Sequence, residues 1–189
     1  MVAVNKRYTF AKRRKREGKT NYRKRLSLLK SALCRIVVRR TLNNITVQFI
    51  KYETTGDKVL AAATTQELKK FGWEFRTNIP SAYLVGLLLA HKCKKIKHKA
   101  IFDVGFFTPI KGSRLFAVAK GCVDGGMDLE HSPDAFPSDE RIKGNHIAAF
   151  AKDNKRKEQF SALAKKKIDA SKITEMFEKA KSAISSTVK

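Results

Sequence analysis

Apolar and polar residues alternate along this chain in three distinct ways. Residues 1–20 show almost no apolar periodicity, which predicts a segment that stays extended until bound. From Thr20 the pattern becomes helical, because Tyr22, Leu26, Leu29 and Leu33 recur on one face. Arg23, Lys24 and Lys30 fall off that stripe, so the apolar side is expected on a core and the basic side outward. The period then shortens. In RIVVRRTLNNITVQFIKYETTGDKVLAAAT, β-branched runs are broken at Asn43-Asn44 and at Thr55-Gly56-Asp57, which predicts a three-stranded meander. Thr64 and Glu67 stand at capping-box spacing before a short helix that Gly72 ends.

The stretch NIPSAYLVGLLLAHKCKKIKHK reads as a buried helix with Pro80 in its first turn. Its small residues Ala82, Gly86 and Ala90 share a face suited to close approach of a sheet. The basic cluster Lys92 to Lys99 follows in favourable helix-dipole geometry. AIFDVGFF, residues 100–107, predicts a central strand. TPIKGS is a loop, and RLFAVAKGCVDGG is a helix capped by Ser113 and ended at Gly125 or Gly126. Residues 127–137 read as loop. SDERIKGNHIAAFAKD predicts a helix that Gly144 weakens. A last helix places Ile173, Met176, Phe177, Ala180 and Ile184 on one face. This order predicts an α/β fold: a mixed β-sheet with helices on both faces. Residues 1–19 form an extended basic arm, 20–150 the α/β body and 151–189 a basic helical C-terminal extension.

Charge decides the partner class. Lys plus Arg number 41 against 17 Asp plus Glu, a net charge of +24 on 189 residues. Residues 1–30 carry 12 basic residues and 1 acid, whereas residues 111–150 carry 5 and 6. Such a field repels itself, and a polyanion relieves it while releasing counterions. Nucleic acid is the expected partner. The longest apolar run, Ala82 to Ala90, is too short for a bilayer span of about 20 residues. No apolar signal segment opens the chain, so a cytoplasmic location is expected. Cys34, Cys93 and Cys122 are odd in number and far apart, which fits a reducing compartment.

The N-terminal segment is the foremost site. Arg7, Lys12, Arg13, Arg14, Lys15, Arg16, Lys19, Arg23 and Arg25 supply cations, and Tyr8, Phe10 and Tyr22 supply rings for unpaired bases. That mixture favours RNA. Tyr22 is open to either core packing or RNA contact, since it also lies on the apolar stripe. The loop PIKGSR is a second candidate. Lys111, Ser113 and Arg114 stand at a helix start, whose free N–H groups suit a phosphate. Arg141, Lys143 and His146 in RIKGNH form a third. Asp103, with Asp124 and Asp128, raises the alternative of metal-dependent RNA hydrolysis, but no second strand bears a matching acid. A structural role for Asp103 is expected. A non-specific nucleic-acid compactor is the other alternative. His91, Cys93 and His98 lack the spacing of a metal site. No metal, cofactor, membrane or small-molecule substrate is expected.

RYTFAKRRKREGKTNYRKRLSLLKS closely resembles the start of the archaeal-type L-eighteen family of large-subunit ribosomal proteins, whose eukaryotic counterpart is L-five. The resemblance continues through GWE (Gly72 to Glu74), NIPSAYLVGLLLA, FDVGFFTPIKGSRLFAVAKGCVDGGMDLEH and RIKGNHIA. It covers about residues 7–150 in order, more loosely the last helix, and lacks the long C-terminal extension of the eukaryotic form. The resemblance implies a ribonuclease-H-like body without catalysis and a basic arm on RNA. It implies binding of 5S rRNA in the central protuberance, contact with 23S-type rRNA, and ribosomal-protein neighbours including the other 5S binder. It carries RNA contact onto Arg7, Arg13, Arg14, Arg16, Lys19, Thr20, Asn21, Tyr22 and Arg25. Lys152 to Lys167 is more basic than in acidic members, which suggests extra rRNA contact there.

Overall fold

The computed structural model describes residues 10–94, 96, 98–153, 157–165 and 168–187. Helices α1 (Arg13–Arg16) and α2 (Tyr22–Leu29) precede strands β1 (Cys34–Arg40), β2 (Ile45–Glu53) and β3 (Gly56–Thr64). A 3₁₀ turn (Glu67–Phe71), α3 (Ile79–Lys92), β4 (Ala100–Asp103) and α4 (Arg114–Asp124) follow. The chain continues through α5 (Asp139–Lys143), α6 (Asn145–Lys152), α7 (Ser161–Ala164) and α8 (Ile173–Thr187). Among the described residues the strands form one mixed sheet in the order β3-β2-β1-β4. The meander is antiparallel, and β4 runs parallel to β1 with Val37 opposite Asp103. Among the described residues no helix is long and apolar enough to cross a membrane.

Period-two alternation gives the sheet two unlike faces. Cys34, Ile36, Val38, Ile45, Val47 and Phe49 are buried in the main core. Arg35, Val37, Arg39, Gln48 and Ile50 point the other way and line a depression beneath the N-terminal segment. Helix α3 covers the apolar face. Asn78 accepts the Ser81 N–H at 2.8 Å and caps it, and every residue from Pro80 to His91 is buried. A helix apolar on all sides needs cover on all sides. The sheet, α4 and α8 provide it. Phe177 of α8 meets the rings of Trp73 and Tyr83, and Trp73 Nε1 donates to Ser81 Oγ at 2.7 Å. Full burial of one such ring stabilises by about 1.5–3 kcal/mol.

Several expectations are corrected. The small residues of α3 admit a helix, not the sheet. A Cβ on Gly86 would lie 2.2 Å from the Val118 carbonyl oxygen of α4, and one on Gly121 would lie 2.2 Å from that of Tyr83. Strand β4 is an edge strand and stops at Asp103. Asp103 Oδ1 accepts the Gly105 N–H at 2.8 Å, and Gly105 takes φ +61°, so the chain turns out of the sheet. Thr64 is the last residue of β3, and its hydroxyl donates to Glu67 (3.3 Å) rather than capping a helix. Gly144, at φ +85°, splits the predicted 138–153 helix into α5 and α6. Its missing side chain lets the hinge press on Pro80 and Ile173. Residues 12–20 are not extended: α1 forms a helical turn closed by Gly18 at φ +64°. Finally, the stripe on α2 does not dock as a unit, for Leu26 remains 62% exposed. Helix α2 is held by charge instead.

Candidate nucleic-acid interface

The N-terminal segment is built around its one acid and one glycine. Glu17 pairs with Arg13 at 3.5 Å and Lys19 at 2.8 Å. The left-handed Gly18 brings the Lys19 and Thr20 N–H groups onto the Arg14 carbonyl at 2.9 and 3.1 Å. Arg14 Nε donates to the buried Thr20 hydroxyl at 2.9 Å. Asn21 caps α2 by accepting the Lys24 N–H at 3.2 Å. Lys12 sits 4.8 Å above the Tyr22 ring and Arg16 lies 5.1 Å from the Phe10 ring. Each such cation–π contact contributes about 0.5–1 kcal/mol at an exposed site. Tyr22 is half-buried under Lys12, while Arg13, Arg14, Lys15, Arg16, Lys19 and Arg23 face solvent. Arg7 and Tyr8 lie outside the described residues.

A ladder of alternating charges pins this segment to the sheet. Arg25 of α2 meets Asp57 at 2.9 Å, and Asp57 meets Arg35 at 2.9 Å. Arg35 meets Asp103 at 3.3 Å, and Asp103 meets Arg39 at 3.6 Å. Three guanidinium groups thus share two carboxylates, leaving the ladder with one positive charge. Arg35 is only 3% exposed, so its pairing is obligatory. Arg35, Arg39 and Asp57 escaped the reading of the sequence. Their signal was present: Arg35, Val37 and Arg39 alternate with Ile36 and Val38, which marks a polar second face. Asp103 is consumed by two guanidinium groups and the Gly105 N–H. Asp124 accepts the Tyr83 hydroxyl at 2.8 Å. Among the described residues no group of three or more His, Cys, Asp or Glu is placed to hold a metal ion. Asp103 and Asp124 thus have structural duties.

The second and third candidates meet. Ser113, Arg114, Arg141 and His146 line one open groove of about 700 Å³, with Arg40, Phe106 and Ile110 among its other walls. Arg114 Nη1 donates to the Thr77 carbonyl at 2.7 Å, and Arg40 lies 5.2 Å from the Phe107 ring. Burial, and then the neighbouring Arg40, lower the pKa of Arg114. Burial and then Arg141 lower that of His146. Ser113 occupies the N-cap of α4 but makes no side-chain cap bond, and its Oγ is buried without a partner. Lys111 is exposed on the same loop outside the groove walls, and Lys143 pairs with Glu178 at 3.8 Å. Arg40 and Phe106 were not singled out in the sequence, because nothing local separates them from strand and loop residues.

Comparison with known proteins agrees with this picture of a cationic α/β body. Residues 6–98 match the family described as "Ribosomal large subunit proteins 60S L5, and 50S L18". The chain is also 46% identical over 183 residues to the large ribosomal subunit protein uL18 of Korarchaeum cryptofilum (strain OPF8), with 94% of each chain covered.

Proposed function

Since the chain belongs to this family of rRNA-binding structural proteins of the large ribosomal subunit, we propose that it binds 5S rRNA and anchors it to 23S-type rRNA in the central protuberance. The observation that carries this reading is the dense cationic surface of residues 10–29, folded into α1 and α2 and tied across one sheet face by the Arg25–Asp57–Arg35–Asp103–Arg39 ladder. Residues folded in this way lose less conformational entropy when RNA binds. Arg13, Arg14, Lys15, Arg16, Lys19 and Arg23 contact phosphates, along with Arg7. Phe10 and Tyr22 exchange their own cations for RNA surfaces, and Tyr8 stacks on an unpaired base. Thr20, Asn21 and Arg25 act mainly by holding the segment in shape. Lys12, Lys111 and Lys143 add phosphate contacts from exposed positions. Neighbouring large-subunit proteins, including the other 5S binder, complete the assembly.

Filter binding of the full chain against a truncation lacking residues 1–19 tests this. The cut falls before Thr20 and leaves the ladder intact. The truncated protein should keep its fold and lose at least about tenfold in affinity for 5S rRNA, the equivalent of about 1.4 kcal/mol. A length-matched competitor RNA should displace the full chain poorly. Unchanged affinity after truncation would refute the reading, and equal competition by the unrelated RNA would favour a non-specific compactor.

A further inference from the structure

Resting on that RNA-binding reading, we propose that the groove between the 104–114 loop and the α5–α6 hinge seats one unpaired rRNA nucleotide. Arg40 and Arg114 hold its phosphate, and its base stacks on Phe106. This seat is distinct from the N-terminal segment and lets the protein clamp two RNA strands.

Charge is the first reason. Arg40, Arg114, Arg141 and His146 converge on the groove, and among the described residues no Asp or Glu lines it. The same protein pairs Arg25, Arg35 and Arg39 with Asp57 and Asp103 on the other side of the sheet. Here the crowding of cations is left unrelieved, and a bound anion relieves it. The Ser113 hydroxyl, buried without a partner, stands beside the first N–H groups of α4 and completes the set of phosphate donors.

Shape is the second reason. Phe106 is 48% and Ile110 64% exposed, so apolar surface lies open next to the guanidinium groups. A paired helix offers phosphates but keeps its base faces stacked inside, and so cannot use Phe106. An unpaired nucleotide offers an anion and an aromatic face together. The groove, at about 700 Å³, lies within the range of small-ligand sites.

Connectivity is the third. Arg39 and Arg40 are successive residues of β1 and therefore serve opposite faces. Gly105 borders the depression under the N-terminal segment, and Phe106 borders the groove. Both surfaces thus flank the carboxyl ends of the parallel strands β1 and β4, where open α/β sheets take ligands.

The test is photo-crosslinking of the full chain to a single-stranded RNA of about ten nucleotides carrying 4-thiouridine, a length within the span of single-strand binders. Crosslinked peptides are mapped by mass spectrometry. The expected result is a crosslink in the 104–114 loop besides those in the N-terminal segment. Phe106→Ala should abolish the loop crosslink and weaken binding of the single strand about tenfold, within the range of one stacked base, while leaving a blunt RNA duplex unaffected. Arg40→Gln, on a half-buried guanidinium at the groove wall, should act in the same direction, and near-ultraviolet circular dichroism of Trp73 checks that both variants fold. N-terminal crosslinks without a loop crosslink overturn the seat and leave the 5S reading standing. Loss of both sets overturns both. Equal weakening of duplex and single strand by Phe106→Ala also overturns it, since the groove would then read phosphate alone. So does an oligoglutamate peptide that binds as tightly as the RNA and depends on Phe106, which would make the groove a protein-docking site.

Discussion

Asp103→Asn separates a structural carboxylate from a catalytic one. Its Oδ2 lies 3.3 Å from Arg35 and 3.6 Å from Arg39, and its Oδ1 accepts the Gly105 N–H at 2.8 Å. Asparagine keeps the shape and one acceptor, so the turn at Gly105 survives. It removes the negative charge and turns an amide N–H₂ toward one of the guanidinium groups. Breaking a buried ion pair costs about 3–5 kcal/mol when the surviving charge is left alone. Arg35 is not left alone, because Asp57 remains at 2.9 Å, and Arg39 is 36% exposed and can turn to water. The expected loss is therefore nearer 2–3 kcal/mol, below the full penalty. For a chain of this size that is a fall in Tm of about 5–10 °C. Calorimetry at neutral pH and low salt measures it. A catalytic Asp103 predicts the reverse: a fold left alone or stabilised, because active-site strain is relieved, with magnesium-dependent RNA cleavage abolished. An unchanged or raised Tm would refute the ladder as the anchor of the N-terminal segment.

Other outcomes follow from the same geometry. Gly86→Ala should lower Tm by about 3–8 °C, since its Cβ would meet the Val118 carbonyl at 2.2 Å and overpacking costs about 1–3 kcal/mol. Gly72→Ala, with open space but φ +74°, should cost less, about 1–2 kcal/mol by the same melt. Burial, and then Lys94, lower the pKa of His91, and its Nδ1 has no partner. Below about pH 6.5 the unfolded chain therefore binds more protons than the folded one, and stability falls as pH drops. Urea midpoints should be flat above pH 7 and decline from about pH 6.5 downward, and His91→Leu should reduce that decline. RNA affinity should fall steeply with salt, and removing residues 1–19 should flatten the slope of log K against log salt by about one for each phosphate that is no longer neutralised.

Local pattern was enough for the elements and for the charge. The alternation in residues 35–64 specified three paired strands, because a strand's two faces repeat every second residue whatever lies above them. The 3.6-residue repeat specified α8, with its buried set Ile173, Phe177, Ala180 and Ile184, and cap and glycine signals specified α4. Unbroken apolarity after Pro80 specified a helix covered on all sides. The basic N-terminal segment and the loop 109–114 were legible as cationic surfaces for the same reason: charge and turn chemistry are properties of neighbours in the chain. Placement was not legible. β4 is too short for its period to distinguish a central strand from an edge, and its partner β1 lies more than sixty residues earlier. Arg35 and Asp103 stand 68 residues apart, and neither alone declares that an ion-pair ladder, rather than a second apolar layer, covers that face of the sheet. The groove likewise joins β1, the loop after β4 and the α5–α6 hinge. Period and composition act through bonds and turns a few residues long. Which faces meet, and which cations are left without an acid, is settled by contacts that close long loops and so exist only in the folded chain.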